Sequence, residues 1–222
     1  MRRVSLVLAG YLLASPVWAG PLIDLAAEAS RTASNDQVRA VVYSEAQGSN
    51  PADIARQVNR DIDAALQLIG SRPQVSVKSG NQSTYPVYGE KQKIETWRMR
   101  SELVLESRDL AAVSHLIGEL QQRRLAVAQV VQMPSPETRR RTEDDATRDA
   151  IKAFQSRAEV IASALGKSWK IKQLTVAQQG GQVPMPVFRA ARMMAADAAP
   201  APLEAGESLL TTQVSGQIEL ND

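Results

Sequence analysis

From Trp97 to Glu106 the chain reads Trp-Arg-Met-Arg-Ser-Glu-Leu-Val-Leu-Glu, with apolar residues mostly at odd positions and charged ones mostly at even positions. A period of two sends successive side chains to opposite faces, so this stretch is a strand with one buried and one solvated side. It belongs in a sheet covered on one face, and the rest of the chain has to supply partner strands and the cover. Val75 to Tyr88 is the expected partner, forming a long hairpin through Gly89 and Glu90, with Gly89 easing the reversal.

The same period returns at the C-terminal end, where Leu210, Thr212, Val214, Gly216, Ile218 and Leu220 share one face. Further strands are expected over Leu22 to Arg31, Gln37 to Gln47, Leu125 to Met133 and Trp169 to Ala177. In the last of these Ile171 and Leu174 fall on opposite parities, which marks either a bulge or a misplaced boundary.

Helices alternate with the strands. Asn50-Pro51-Ala52-Asp53 places a favoured N-cap residue, then proline at the first helical position, then a carboxylate near the free amides. Ile54, Val58, Ile62, Leu66 and Ile69 follow at helical spacing up to Gly70. Ser135-Pro136 opens a second long helix whose Ala146, Ala150, Phe154, Ala158 and Ala162 recur every fourth residue until Gly166. A shorter helix fits Asp109 to Gln121. The fold class is therefore α+β: a largely antiparallel sheet with two long amphipathic helices and one short helix packed on it.

Gln178 to Gly206 differs in kind, with Gly180-Gly181, four prolines and an Ala/Met-rich middle, and reads as a long loop. Met185, Phe188, Met193 and Met194 within it would leave apolar surface in water, so they are assigned to an interface between subunits. Soft-metal binding by these methionines is disfavoured by their irregular spacing.

Before the first strand come Arg2 and Arg3, an apolar run from Val4 to Leu13 and a small-residue exit at Val17-Trp18-Ala19. This is the anatomy of a secretory signal peptide cleaved after Ala19. The apolar run is about half the ~20 residues a membrane-spanning helix needs. The expected domains are a leader at 1–19 and one domain at 20–222, located in the periplasm with no integral membrane segment. Removing the leader leaves 24 basic residues against 24 acidic ones, so nucleic-acid binding is not expected. Zero cysteines rule out disulfides and thiolate metal sites.

Catalytic chemistry is hard to place. The single histidine, His115, falls inside the short helix beside Ser114, and consecutive helical side chains diverge. One histidine with no carboxylate cluster of recognised spacing suggests no metal and no cofactor. Tyr85-Pro86-Val87-Tyr88, with Trp97 on the following strand, is a candidate ligand platform, although proline also suits an edge strand and aromatics often cover the end of a sheet. Glu102 and Glu106, on the solvated face with Arg98 and Arg100, are explained by ion pairing.

The order of these features resembles the SIMPL-domain family, the YggE-like periplasmic proteins grouped as a domain of unknown function. The matching features are the leader, the Asn50-Pro51-Ala52 helix start, Tyr85-Pro86-Val87-Tyr88 before a long strand, Trp97 to Glu106 followed by Asp109-Leu110, and the alanine-spaced helix with Arg157-Ala158 and Ala164-Leu165-Gly166. The resemblance covers essentially the whole mature chain and brings no catalytic residues with it. It implies a mixed α/β fold, ring-like or channel-like homo-oligomers in some members, and links to envelope and oxidative-stress tolerance. One departure is the exit of the short helix, Gln121-Gln122-Arg123-Arg124-Leu125, where many relatives carry glycine.

The leading reading is a non-enzymatic periplasmic protein that self-associates through sheet edges and the 178–206 loop. A periplasmic module binding a small molecule or peptide near Tyr85, Tyr88 and Trp97 is the alternative. An enzyme using carboxylates of unrecognised spacing is a third, weaker class.

Overall fold

The computed structural model describes residues 20–179 and 206–221; the expected leader at 1–19 lies outside them. The elements are β1 (Leu22–Ser34), β2 (Gln37–Gly48), α1 (Pro51–Gly70), β3 (Ser76–Tyr88), β4 (Ile94–Ser107), α2 (Leu110–Gln122), β5 (Ala126–Met133), α3 (Pro136–Ala164), β6 (Ser168–Gln179) and β7 (Glu207–Asn221). This is an α+β fold with antiparallel sheets. Every expected strand and helix is present. The strands divide between two sheets, ordered β1-β7-β6 and β3-β4-β2-β5. The division follows from the link Asn35-Asp36, which passes the chain from the first sheet to the second without pairing β1 to β2.

Each sheet carries helices on one face. Val38, Ala40 and Val42 of β2 and Leu103 and Leu105 of β4 pack against Ala65 and Ile69 of α1 and Val113, Leu116 and Leu120 of α2. Met99 and Ala46 meet Ile54 and Val58 in a smaller cluster. On the other sheet, Ala150, Phe154, Ala158 and Ala162 of α3 rest on Ala27, Val214, Ile218 and Leu220. Alanines every fourth residue let α3 lie close to the strands, with Phe154 as the large group in its stripe.

The caps explain where the helices begin. The Asn50 side chain accepts from the Ala52 amide at 2.9 Å, Asp109 from the Ala112 amide at 2.9 Å, and Ser135 from the Thr138 amide at 3.3 Å. Each occupies a donor that the first helical turn leaves unpaired.

One local expectation is corrected and one open alternative is decided. Gly89 does not make the hairpin reversal: it is extended at φ −97°, and the turn runs through a 3₁₀ segment, Glu90–Gln92, with Gln92 at φ 58°. In β6 the parity change between Ile171 and Leu174 is a bulge, because the register against β7 shifts between Ile171 and Gln173. Gly216 makes room for it, since a Cβ there would lie 2.2 Å from the Gln173 carbonyl oxygen.

Helices α2 and α3 end in the same motif with different residues. The Gly166 amide bonds Ser163 at 3.1 Å and Lys167 bonds Ala162 at 2.9 Å, with Gly166 at φ 66°. In α2, Arg124 bonds Gln121 at 3.2 Å and Leu125 bonds Leu120 at 3.1 Å, but the left-handed residue is Arg124, at φ 71°. A side chain there costs about 1–2 kcal/mol, partly offset by the greater unfolded-state freedom of glycine. Arg124→Gly is therefore expected to raise stability by roughly 0.5–1 kcal/mol, and Gly166→Ala to lower it by about 1 kcal/mol. Urea titration of both variants checks the opposite signs.

Candidate functional site

The aromatic platform expected from sequence is split between two faces. Trp97 packs on the helix side with Ala46, Ile54, Val58 and Met99. Tyr85 pairs across the strands with Arg98, and alternation places both on the opposite, solvated side. Tyr88, at 61% exposure, sits opposite Ile94 beyond a register shift. Tyr85 and Trp97 thus do not share a face. The expected interface residues Met185, Phe188, Met193 and Met194 lie outside the described residues.

The solvated face of the four-stranded sheet has an ordered ion-pair pattern. Arg98 lies 3.6 Å from Glu45, Lys78 lies 3.1 Å from Glu106, and Arg39 lies 3.8 Å from the same carboxylate. Arg100 meets Glu102 at 2.9 Å on its own strand and stacks over the Tyr43 ring, 3.6 Å from its centre. Glu106 is satisfied by cations of both neighbouring strands, as expected, whereas Glu102 is met by Arg100 of its own strand and not across strands. The Tyr43–Arg100 contact adds a cation–π attraction. Beside them Arg39, Val41, Gln129, Val131 and Met133 line a shallow depression of about 140 Å³.

His115 is exposed on α2, with Nδ1 2.8 Å from Glu119 Oε1 one turn on; Glu119 also receives Arg72 at 2.7 Å. The partner missed in the sequence is thus an i,i+4 carboxylate. Among the described residues no group of three or more His, Asp or Glu is arranged to hold a metal ion.

The densest polar constellation lies where the two sheets meet. Asp36 accepts from the Ser135 amide at 2.6 Å, the Ser135 hydroxyl at 2.9 Å and the Thr138 hydroxyl at 2.8 Å. Arg108 donates to Ser135 Oγ at 3.1 Å and to Glu137 at 2.9 Å. Burial pushes the Asp36 carboxyl up, but the bonds from Ser135 and Thr138 outweigh it and leave the group below its ordinary value. Asn35, Asp36, Gln37, Val38, Arg108, Leu110 and Gln132 border a groove of about 470 Å³ here. With its acceptor oxygens engaged by α3, Asp36 fastens the link between sheets to the helix start. No local pattern in the sequence distinguishes this aspartate from other loop carboxylates.

On the three-stranded sheet, Glu219 is buried and lies 3.4 Å from both Lys170 and Lys172. Lys170 stands directly opposite Glu219, and Lys172, two residues on, falls on the same face by strand alternation. Burial raises the Glu219 carboxyl and the two lysines more than reverse that, holding it below its ordinary value. Arg157 on α3 donates to the Ala26 carbonyl of β1, and Arg31 pairs with Asp149. The helix reaches onto both edge strands, since Trp169 at the start of β6 donates its indole N–H to Glu159 of α3 at 2.8 Å; as a strand, β6 pairs with β7 alone among the described residues.

The fold and its polar sites define a class: two helix-backed antiparallel sheets whose connecting link is bonded through Asp36 to the serine-capped start of α3. The family pattern of SIMPL, a protein of unknown function (DUF541), matches residues 23–218, and the chain belongs to that family. No match is found among curated proteins. Among solved structures, AtUAH in complex with glyoxylate is similar at 14% identity over 50% of this chain and 28% of that one, with a TM-score of 0.24. A putative amidohydrolase/peptidase from Burkholderia cenocepacia is similar at 12% identity over 58% of this chain and 35% of that one, also at a TM-score of 0.24. The chain spans about a third of the length of these structures, and at such scores they carry no argument about its fold or activity. Among the described residues no helix is long and apolar enough to cross a membrane.

Proposed function

We propose that this protein is exported to the periplasm, cut after Ala19, and acts there by self-assembly and not by catalysis, in a ring-like or channel-like homo-oligomer that supports envelope or oxidative-stress tolerance. One observation carries the reading: both sheets end in strands whose outer edges have no strand partner among the described residues, and on the three-stranded sheet those strands are 13 and 12 residues long. Unpaired backbone along a long edge is a template for another chain. The apolar residues Met185, Phe188, Met193 and Met194 supply a second contact surface.

Native mass measurement on protein purified from the periplasm, with N-terminal sequencing of the same sample, tests this. A chain starting at Gly20 with a mass several times that of one subunit is expected. A monomer at every concentration overturns the assembly reading, and a retained leader overturns the address.

A further inference from the structure

The four edge strands are not equally open to a new partner. β1 carries Asp24, Glu28 and Arg31, and Arg157 already occupies its Ala26 carbonyl. β3 is broken by register shifts after Ser79 and after Val87, and it contains Pro86. β5 has 8 residues, and the register shift opposite Val41 and Val42 interrupts it. Charge, bulges, proline and short length are the devices that keep edges from pairing.

β6 has such protection only at its start, where Lys170, Lys172 and the bulge lie. From Gln173 to Gln179 the strand reads Gln-Leu-Thr-Val-Ala-Gln-Gln, without charge, proline or register shift. Its helix-facing side is incompletely covered: Val176 is 43% exposed and Ile171 40%. Uncharged β-prone runs of this length are those that recruit another strand.

We propose that residues 173–179 pair antiparallel with the same residues of a second copy, about a two-fold axis at Val176, joining two three-stranded sheets into one of six strands. The inference rests on the self-assembly reading and names its first interface. The occupant follows from charge and symmetry. An isologous antiparallel pair sets Val176 against itself, Leu174 against Gln178 and Thr175 against Ala177, and it carries the lysines of the two copies to opposite ends. Like charges never face each other, and the exposed Val176 side chains cover one another.

The test uses the full mature chain. Val176→Lys and Val176→Glu, each checked by circular dichroism, are expected to reduce the native mass at least two-fold, because each sets like charges face to face on the axis. Mixing the two variants is expected to restore it. Val176→Cys in this cysteine-free protein is expected to give a covalent dimer on mild oxidation, since opposed Cα atoms in a sheet lie at about 4.5–5.5 Å, within disulfide reach. This variant decides the matter should the charged ones fail to fold. An assembled wild type whose mass is unchanged by both charged variants overturns the β6 interface and leaves self-assembly standing. Absence of the covalent dimer, as when the chain's own 180–205 segment covers the edge, also overturns it. A wild type that is monomeric throughout overturns the self-assembly reading itself.

Discussion

Replacing Phe154 with alanine is expected to lower stability by about 3–5 kcal/mol. Phe154 is fully buried where α3 meets the three-stranded sheet, with Ala150 and Ala158 one turn to either side and Val214 and Ile218 beneath. Its neighbours on the helix are alanines, which have no rotamers with which to fill a vacated space. The cavity left by the ring would persist, so the loss should fall toward the upper end of that range. Urea unfolding followed by circular dichroism measures it. A loss below about 1.5 kcal/mol would mean that α3 does not depend on this contact for its seat. Because the four-stranded sheet has its own core clusters, a two-step transition in the variant would show the three-stranded sheet melting first.

Asp36→Ala is expected to cost about 2–3 kcal/mol through loss of hydrogen bonds to a carboxylate. The Ser135 amide and the Ser135 and Thr138 hydroxyls all lose an acceptor at the start of the 29-residue α3. The same network predicts a pH dependence. The native Asp36 carboxyl is held below the ordinary value of 3.8, so the unfolded chain takes up the proton first as pH falls. Its stabilisation is complete above the unfolded value and is lost as pH drops through the native one. Asp36→Asn should thus be less stable than wild type at neutral pH and show a shallower loss between about pH 5 and 3. Parallel slopes for the two proteins in that window would contradict the assignment.

Much of this fold could be read locally. Alternation from Trp97 to Glu106 and from Leu210 to Leu220 located β4 and β7, because each burial pattern is written in adjacent residues. Asn50, Asp109 and Ser135 marked the helix starts because a cap acts within three residues of itself. The division into two sheets was not legible, since β1 pairs with β7 almost two hundred residues away and no local feature encodes that choice. Asp36 was missed for the same reason: its partners Ser135 and Thr138 are remote in sequence, and alone it looks like any turn aspartate. The left-handed Arg124 escaped because arginine gives no hint of positive φ.

The place of β7 between β1 and β6 also dictates an order of events along the growing chain. All strands and both helices of the four-stranded unit fall within residues 37–133, so that unit is complete once Met133 has emerged. The other sheet has no middle until Leu210 to Leu220 arrive. Until then Ile23 and Leu25 of β1, and the alanine stripe of α3, have no sheet to close on. Contacts spanning almost the whole sequence form slowly, because a long loop must be closed before they are rewarded. β7 is therefore the strand that shuts the molecule, and a polypeptide cut short before it would hold a folded half beside an unfolded, apolar one.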